Sequence, residues 1–219
     1  MTKKNYVLVI AGASGAGKST VADILISRGG YELSRSATTR NQRADKRDGE
    51  YLFVSEAEFV KMVSLGQMLE YTEYGGNLYG TPASEIDRII SSGKTPLLVL
   101  DLKGVKSLKT LATPYPVYAF YIYDELNRIE ERLYSRDMTD GASVKNFLSF
   151  VKRKEQNIKD YLTIEEYAPY IDSFVKNTTP EECALEIKQR ISASLSGEEI
   201  EEDKSGIASA LVNMAKAKL

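Results

Sequence analysis

Residues 12–19 have the types and the spacing of a phosphate-binding loop. The segment GASGAGKS fits the pattern G-x-x-x-x-G-K-[ST] and follows a short apolar run. Glycines let backbone N–H groups converge on a phosphate, and the positive end of the following helix attracts the same anion. We expect Lys18 to reach the β- and γ-phosphates of a nucleotide and Ser19 to offer its hydroxyl to Mg²⁺. The predicted triphosphate site comprises Gly12, Ala13, Ser14, Gly15, Ala16, Gly17, Lys18, Ser19 and Thr20.

A second set of residues suits a doubly charged phosphate. Arg40 and Arg43 lie three positions apart, and Tyr51 and Tyr79 follow further along the chain. Two guanidinium groups and two phenol hydroxyls can form short, charge-assisted hydrogen bonds to one phosphate. A solvated basic loop would also contain the two arginines, but the four residues together favour a binding site.

Glu70 is a candidate for recognising a guanine base. Its carboxylate can accept hydrogen bonds from both the N1–H and the 2-amino group of guanine. Adenine has a lone pair at N1 instead, so the same carboxylate would be repelled there. A bidentate contact of this kind discriminates between bases by roughly 1–3 kcal/mol, and the penalty grows when buried polar groups are left unpaired.

The composition excludes several other classes of function. The chain has 29 basic and 31 acidic residues, which argues against a general nucleic-acid-binding protein. It has no histidine, and this excludes histidine bases, Ser-His-Asp triads and the common zinc sites. The single cysteine, Cys183, cannot form an internal disulfide and is expected to be a small buried residue in a cytoplasmic protein. No apolar run is long enough to span a bilayer, and the N-terminal apolar stretch is too short for a signal peptide.

The elements that must position these residues alternate between strands and helices. Buried strands are predicted at 6–11, 96–101, 117–123 and 172–177, and two shorter strands surround a Gly-Gly turn within 68–80. Helices are predicted at 17–28, 55–65, 82–92, 124–135, 142–163 and 180–195, with capping boxes at Ser55 and Thr179. This alternation predicts an α/β fold whose parallel sheet core is covered by helices. Residues 33–81 do not follow this alternation and are predicted to form a small insert.

The last part of the chain differs in composition. Residues 196–206 are acidic and predicted to form a flexible linker. The following tail can place Ile207, Leu211 and Ala215 on one stripe of a helix. Such a helix would bind a partner or a second copy of the chain, or else it would pack back on its own core or fray.

Two stretches within the insert carry a resemblance to a known family. SRSATTRNQRADKRDGEYLFVS and EYTEYGGNLYGTP resemble the guanylate kinase family, whose signature runs approximately S-x-T-T-R-x-x-R, then a glycine and a tyrosine, then E-x-x-x-x-G-x-x-Y-G-[ST]. The resemblance covers roughly residues 5–195. It implies a P-loop NMP-kinase fold that transfers a phosphoryl group from ATP to GMP or dGMP with Mg²⁺.

The resemblance also implies how the chain is divided. A domain over 1–195 would have its core at 1–32, 82–131 and 160–195, an NMP-binding insert at 33–81 and a helical lid at 132–159. Residues 196–219 would form the acidic linker and amphipathic tail. The protein would be a monomer or a homodimer whose partners are its two substrates, with no nucleic acid and no membrane.

Matching positions give the residues that the resemblance assigns to each role. The GMP site would comprise Ser36, Arg40, Arg43, Tyr51, Glu70, Tyr79, Thr81 and Asp101, with Thr81 donating to a keto oxygen of the base. The catalytic residues would be Lys18 and the lid arginines Arg132, Arg136 and Arg153, for which Arg128 is a possible substitute. Asn177 would contact the adenine of ATP, and Ser19 would be the metal ligand.

The chain departs from the family pattern at three positions. Val99 replaces the first aspartate of a D-x-D motif and leaves only Asp101, Lys103 replaces a common glutamine, and Gln42 replaces a common proline. Asp101 could assist Mg²⁺, or it could help hold the acceptor base and Arg40. Val99 leaves open the choice between GMP, dGMP and another monophosphate.

Two other functions compete with this one. The chain could phosphorylate a different nucleoside monophosphate or a ribose bisphosphate, but Glu70 favours guanine. It could also be a non-catalytic binding module like the guanylate-kinase-like domains of scaffold proteins. The intact phosphate loop favours an enzyme.

Overall fold

Strands and helices alternate along the chain, as the sequence predicts. The computed structural model describes residues 5–42, 48–74, 76–111, 113–139, 143–198 and 200–219. The strands are β1 (Val7–Gly12), β2 (Tyr31–Leu33), β3 (Ser36–Thr38), β4 (Tyr51–Phe53), β5 (Met68–Tyr74), β6 (Asn77–Pro82), β7 (Thr95–Val99), β8 (Val117–Tyr123) and β9 (Ser173–Lys176). The helices are α1 (Lys18–Ser27), α2 (Glu56–Ser64), α3 (Ala83–Ser91), α4 (Leu102–Thr110), α5 (Leu126–Thr139), α6 (Val144–Leu162), α7 (Ile164–Tyr167), α8 (Pro180–Ser196) and α9 (Lys204–Lys216).

The strands form two sheets. The larger has the order β2-β7-β1-β8-β9, and the pairs β2/β7 and β8/β9 are parallel. The smaller has the order β4-β3-β6-β5. Parallel strands need crossover connections, which the intervening helices supply. The predicted α/β fold with a parallel sheet core is therefore confirmed.

The chain divides into two compact units. The first contains Met1–Val9 and Leu25–Tyr118, and the second contains Ile10–Ile24 and Ala119–Leu219. The phosphate loop therefore belongs to the second unit, and Arg40 and Glu70 belong to the first.

The first unit contains the smaller sheet. β3 pairs with β4 in parallel and with β6 antiparallel, and β5 pairs with β6 antiparallel. The buried side chains of Ala37, Phe59 and Met68 form a core between this sheet and α2. The predicted capping box is present, since Ser55 accepts from the Glu58 N–H while the Glu58 carboxylate accepts from the Ser55 N–H.

One helix of the first unit was not expected from the sequence. The strand predicted over 96–101 ends at Val99, and α4 begins at Leu102. Asp101 is the N-cap of α4, and its Oδ1 accepts from the Gly104 N–H at 2.7 Å. Gly104 lowers the intrinsic helix propensity of this segment, so its composition gave no clear signal for a helix.

In the second unit, the tail helix packs on its own chain. α9 contacts α6, α7 and β9, and it buries Ala208, Leu211, Val212 and Ala215. The structure therefore shows the second of the two arrangements considered for the tail. Among the described residues, no helix combines the length and the apolar character needed to cross a membrane.

The acidic segment before α9 is anchored at Glu202. Its carboxylate accepts from Arg190 Nη1 at 2.8 Å and from the Phe174 N–H at 3.1 Å. Asp203 then caps α9 by accepting from the Gly206 N–H at 2.8 Å. These bonds fix the position at which the tail helix begins.

Candidate active site

The phosphate loop connects β1 to α1 in the second unit. β1 is buried along most of its length, which holds the start of the loop firmly. A Cβ atom at Gly12 would overlap the Ile122 carbonyl oxygen, and one at Gly17 would overlap the side-chain amide of Asn177. Both glycines also have positive φ angles. The loop therefore needs glycine at these two positions for space as well as for backbone conformation.

Lys18 lies at the first position of α1 and turns back over the loop. Its Nζ donates to the carbonyl oxygens of Gly12 at 2.8 Å and Ala13 at 3.0 Å. The ammonium group is thus held at the loop, where the sequence predicts the nucleotide phosphates.

Arg132 reaches the phosphate loop from α5. Its Nε donates to the Gly15 carbonyl at 2.9 Å, and its Nη1 donates to Asp124 Oδ2 at 2.9 Å. Its Nη2 is buried and has no hydrogen-bond partner in the described part of the chain. Asp124 is fully buried and also pairs with Arg128 at 3.3 Å. The Asp124 carboxylate therefore fixes the Arg132 guanidinium group beside the loop.

The other two predicted lid arginines meet at a different carboxylate. Arg136 Nε and Arg153 Nη1 lie 3.0 Å and 3.2 Å from Asp137 Oδ1. The first arginine is on α5 and the second is on α6, so Asp137 brings together two residues that are distant in sequence. Arg132 has the separate set of partners given above.

Two asparagine side chains form hydrogen bonds to the backbone of the phosphate loop. Asn177, predicted to contact adenine, donates from Nδ2 to the Ala16 carbonyl at 2.7 Å, and its Oδ1 is buried with no partner among the described residues. Asn157 on α6 bonds both the N–H and the carbonyl of Ser14. Neither Asn157 nor Asp124 was predicted from the sequence. The spacing of Asp124 could have identified it, since it lies four positions before Arg128 and eight before Arg132, just before the start of a helix.

The first unit assembles the predicted acceptor-phosphate residues. Strand register places Ser36 opposite Tyr51, and Thr38 opposite Tyr79. The Arg40 guanidinium carbon lies 4.5 Å from the centre of the Tyr51 ring and 5.1 Å from that of Phe53. Such cation–π contacts orient the buried guanidinium group. Phe53 was not predicted, and Arg43 lies outside the described residues.

Glu70 forms a buried polar group with Thr81. The Glu70 side chain lies on β5 directly after an irregularity in the β5/β6 register, and the residue is 3% exposed. Thr81 Oγ1 donates to Glu70 Oε1 at 2.6 Å. The hydroxyl predicted to face a keto oxygen is therefore directed at the carboxylate in this structure. Burial raises the pKa of Glu70 to about 7, against the hydrogen bond from Thr81 that lowers it, and nearby Asp101 raises it further.

Asp101 and Gly104 lie beside Glu70. A Cβ atom at Gly104 would lie 3.2 Å from Glu70 Oε2 and 3.3 Å from Asp101 Oδ1. Glycine therefore leaves room between the two carboxylates. Asp101 therefore lies near Glu70, the residue predicted to bind the acceptor base.

A metal ion would have few protein ligands here. The described ranges contain no group of three or more histidine, cysteine, aspartate or glutamate residues that could hold one. Mg²⁺ usually keeps several waters and binds substrate phosphates with one or two protein ligands. The Ser19 hydroxyl, one residue after Lys18 in the first turn of α1, fits that kind of site.

Comparisons with known proteins find one family along most of the chain. The guanylate kinase family model matches residues 4–194. A guanylate kinase of Clostridioides difficile is 33% identical over 193 residues, which are 87% of this chain and 89% of that protein. A guanylate kinase of Lactococcus lactis is 35% identical over 195 residues, which are 88% of this chain and 90% of that protein. A crystal structure of guanylate kinase from Anaplasma phagocytophilum covers 89% of this chain and 88% of its own, with TM-score 0.65 and 23% identity, which supports the fold.

Proposed function

The chain belongs to the guanylate kinase family, and we propose that it transfers the γ-phosphoryl group of ATP to GMP or dGMP. The products are ADP and GDP or dGDP. The observation that carries the choice of acceptor is the buried Glu70 carboxylate, held by Thr81 and bordered by Asp101. A buried carboxylate requires hydrogen-bond donors, and the N1–H and 2-amino groups of guanine supply two on one edge.

The donor half of the reaction is assigned to the second unit. Residues 12–20 bind the phosphates of ATP through backbone N–H groups, and Lys18 neutralises their charge. Ser19 would hold Mg²⁺, which when bound neutralises charge on the phosphates. We assign the adenine end of ATP to the neighbourhood of Asn177.

The acceptor half is assigned to the first unit. Arg40, Arg43, Tyr51 and Tyr79 bind the phosphate of the monophosphate. Ser36, Glu70, Thr81 and Asp101 bind the base. For Thr81 to donate to the keto oxygen, its hydroxyl must rotate away from Glu70 when the guanine N–H groups donate to that carboxylate instead.

The protein accelerates the reaction by positioning the two substrates and neutralising charge, because phosphoryl transfer needs little covalent help from the protein. The phosphoryl group passes from the ADP oxygen to the acceptor phosphate oxygen, and Arg132, Arg136 and Arg153 stabilise the charge that spreads over it. Water is a competing acceptor, so we assign residues 33–81 as an NMP-binding insert and 132–159 as a lid that excludes it. Residues 1–195 are proposed as the kinase domain and 196–219 as its appended tail, in a cytoplasmic protein.

The test is a survey of acceptors. The protein is incubated with Mg-ATP and each common ribo- and deoxyribonucleoside monophosphate in turn, and the ADP formed is measured. GMP and dGMP should be the fastest acceptors, and their ratio gives the preference between the two. If they are no faster than the others, the assignment of Glu70 is wrong. If no monophosphate is turned over, the chain is a binding module.

A further inference from the structure

Asn157 makes two hydrogen bonds to a single residue of the phosphate loop. Its Oδ1 accepts from the Ser14 N–H at 2.8 Å, and its Nδ2 donates to the Ser14 carbonyl at 2.8 Å. The side chain comes from α6, and the residue is only 1% exposed. A planar amide that pairs with both backbone groups of one residue fixes that residue in rotation as well as in position.

The Ser14 carbonyl is the third of five consecutive loop carbonyls held by side chains, and Lys18 holds the two that precede it. Asn157 holds Ser14, Arg132 holds Gly15 at 2.9 Å, and Asn177 holds Ala16 at 2.7 Å. In a trans peptide the carbonyl and the following N–H point in opposite directions. With the Ser14 carbonyl directed at Asn157, the Gly15 N–H is directed away from Asn157.

We propose that Asn157 is a positioning residue of the donor site. It holds Ser14 so that the Gly15 N–H is already oriented for the phosphates of ATP. Without it, the Ser14 peptide groups lose a buried partner and rotate to find another, which costs affinity when the nucleotide binds. The inference rests on the proposed donor site at residues 12–20 and deepens it.

The position of Asn157 also links the loop to a lid arginine. Arg153 lies four residues earlier and therefore on the same face of α6. The helix that holds the loop through Asn157 thus carries the guanidinium group that pairs with Asp137. Loss of the Asn157 hydrogen bonds should therefore reduce kcat as well as the affinity for ATP.

The experiment compares Asn157→Ala and Asn157→Asp with the wild-type chain. The dissociation constants of ADP and of GMP are measured separately by calorimetry, followed by kcat. We expect ADP to bind about tenfold more weakly to both variants. The loss should be larger for Asn157→Asp, because a carboxylate would face the Ser14 carbonyl. GMP should bind with an affinity within about twofold of wild type, whereas general loosening of the fold would weaken both nucleotides.

Gln156→Ala is the matched control. Gln156 is the neighbouring amide on α6, but it is exposed and bonds Asp160 at the surface at 2.8 Å. Its removal should leave both dissociation constants unchanged. An ADP affinity near wild type in both Asn157 variants, or equal losses for ADP and GMP, overturns the proposal.

Amide hydrogen exchange of the wild-type protein gives a test that needs no variant. The Ser14 N–H should exchange at least about tenfold more slowly than an unprotected amide, because Asn157 accepts from it. Exchange at the unprotected rate overturns the proposal even if the variants do not fold. A wild-type protein that binds ADP but does not phosphorylate GMP would instead contradict the proposed function, and the ADP comparison would still decide the role of Asn157.

Discussion

At the scale of single residues, Glu70 links acceptor binding to pH. Burial raises the pKa of its carboxyl to about 7, and only the ionised form accepts two hydrogen bonds from guanine. The KM for GMP should therefore rise as the pH falls below about 7, approaching tenfold per pH unit. Steady-state kinetics at several pH values, with ATP saturating, measures this.

The matched control for that profile is Glu70→Gln. The phosphate of GMP titrates near pH 6 in both proteins, so only the difference between the two profiles belongs to Glu70. The variant should bind guanine acceptors at least about tenfold more weakly than wild type at pH 8, while ADP affinity stays the same. Equal losses for acceptor and donor would contradict the assigned role.

The same carboxyl should lower the stability of the fold at high pH. Its pKa rises from 4.5 in the unfolded chain to about 7 in the folded one, so the folded state binds the proton more tightly. The free energy of unfolding therefore falls as the pH rises from about 4.5 to 7. Glu70→Gln should be more stable than wild type by about 1–3 kcal/mol at pH 8, and the difference should shrink toward pH 4.5. Urea denaturation at both pH values measures it, and a difference that does not change with pH would contradict the prediction.

Much of the site could be predicted at this scale because motif residues carry their own chemistry. Lys18, Arg40 and Glu70 have charges and spacings that suit phosphate or guanine. The structure gives Lys18 and Glu70 hydrogen-bond partners and places Arg40 against the Tyr51 ring. Asn157 could not be predicted in the same way. It lies in the middle of a helix, and only packing brings it to a residue 143 positions away in sequence.

At the scale of elements, α9 is an addition beyond the family match, which ends at residue 194. It buries Leu211 to 1% exposure within a group of apolar side chains that pack on α6 and α7. Leu211→Ala should lower the free energy of unfolding by about 2–4 kcal/mol, because it removes buried methyl groups and leaves a cavity. Asn213→Ala, at an exposed position of the same helix, should change it by less than about 0.5 kcal/mol. Urea denaturation curves of equal slope decide this, and similar values for the two variants would mean that α9 is not packed in solution.

Elements were predicted best where an apolar run or a cap marks their ends, whereas the 14-residue α5 ends four residues beyond its predicted end. β8 was predicted with its observed limits, and α3 and α8 ended within a residue of their predicted ends, because long apolar patterns and caps mark them. The three-residue strands β2, β3 and β4 are too short to show a periodicity. Their register, which brings Ser36 opposite Tyr51, is set by pairing between distant segments. Such pairing is not visible in local sequence.

At the scale of the whole molecule, the proposed donor and acceptor residues lie in different compact units. Each nucleotide should therefore stabilise the protein through its own residues, by RT ln(1 + [L]/Kd), or about 2.7 kcal/mol at a hundredfold excess over Kd. Wild type should show a higher midpoint of thermal unfolding with ADP and, separately, with GMP. Lys18→Ala should lose most of the ADP shift and keep the GMP shift, because it removes the ammonium group held at the phosphate loop. Glu70→Gln should lose most of the GMP shift and keep the ADP shift. Differential scanning fluorimetry at matched ligand excess measures all six shifts, and a variant that loses both would show that donor and acceptor residues do not act separately.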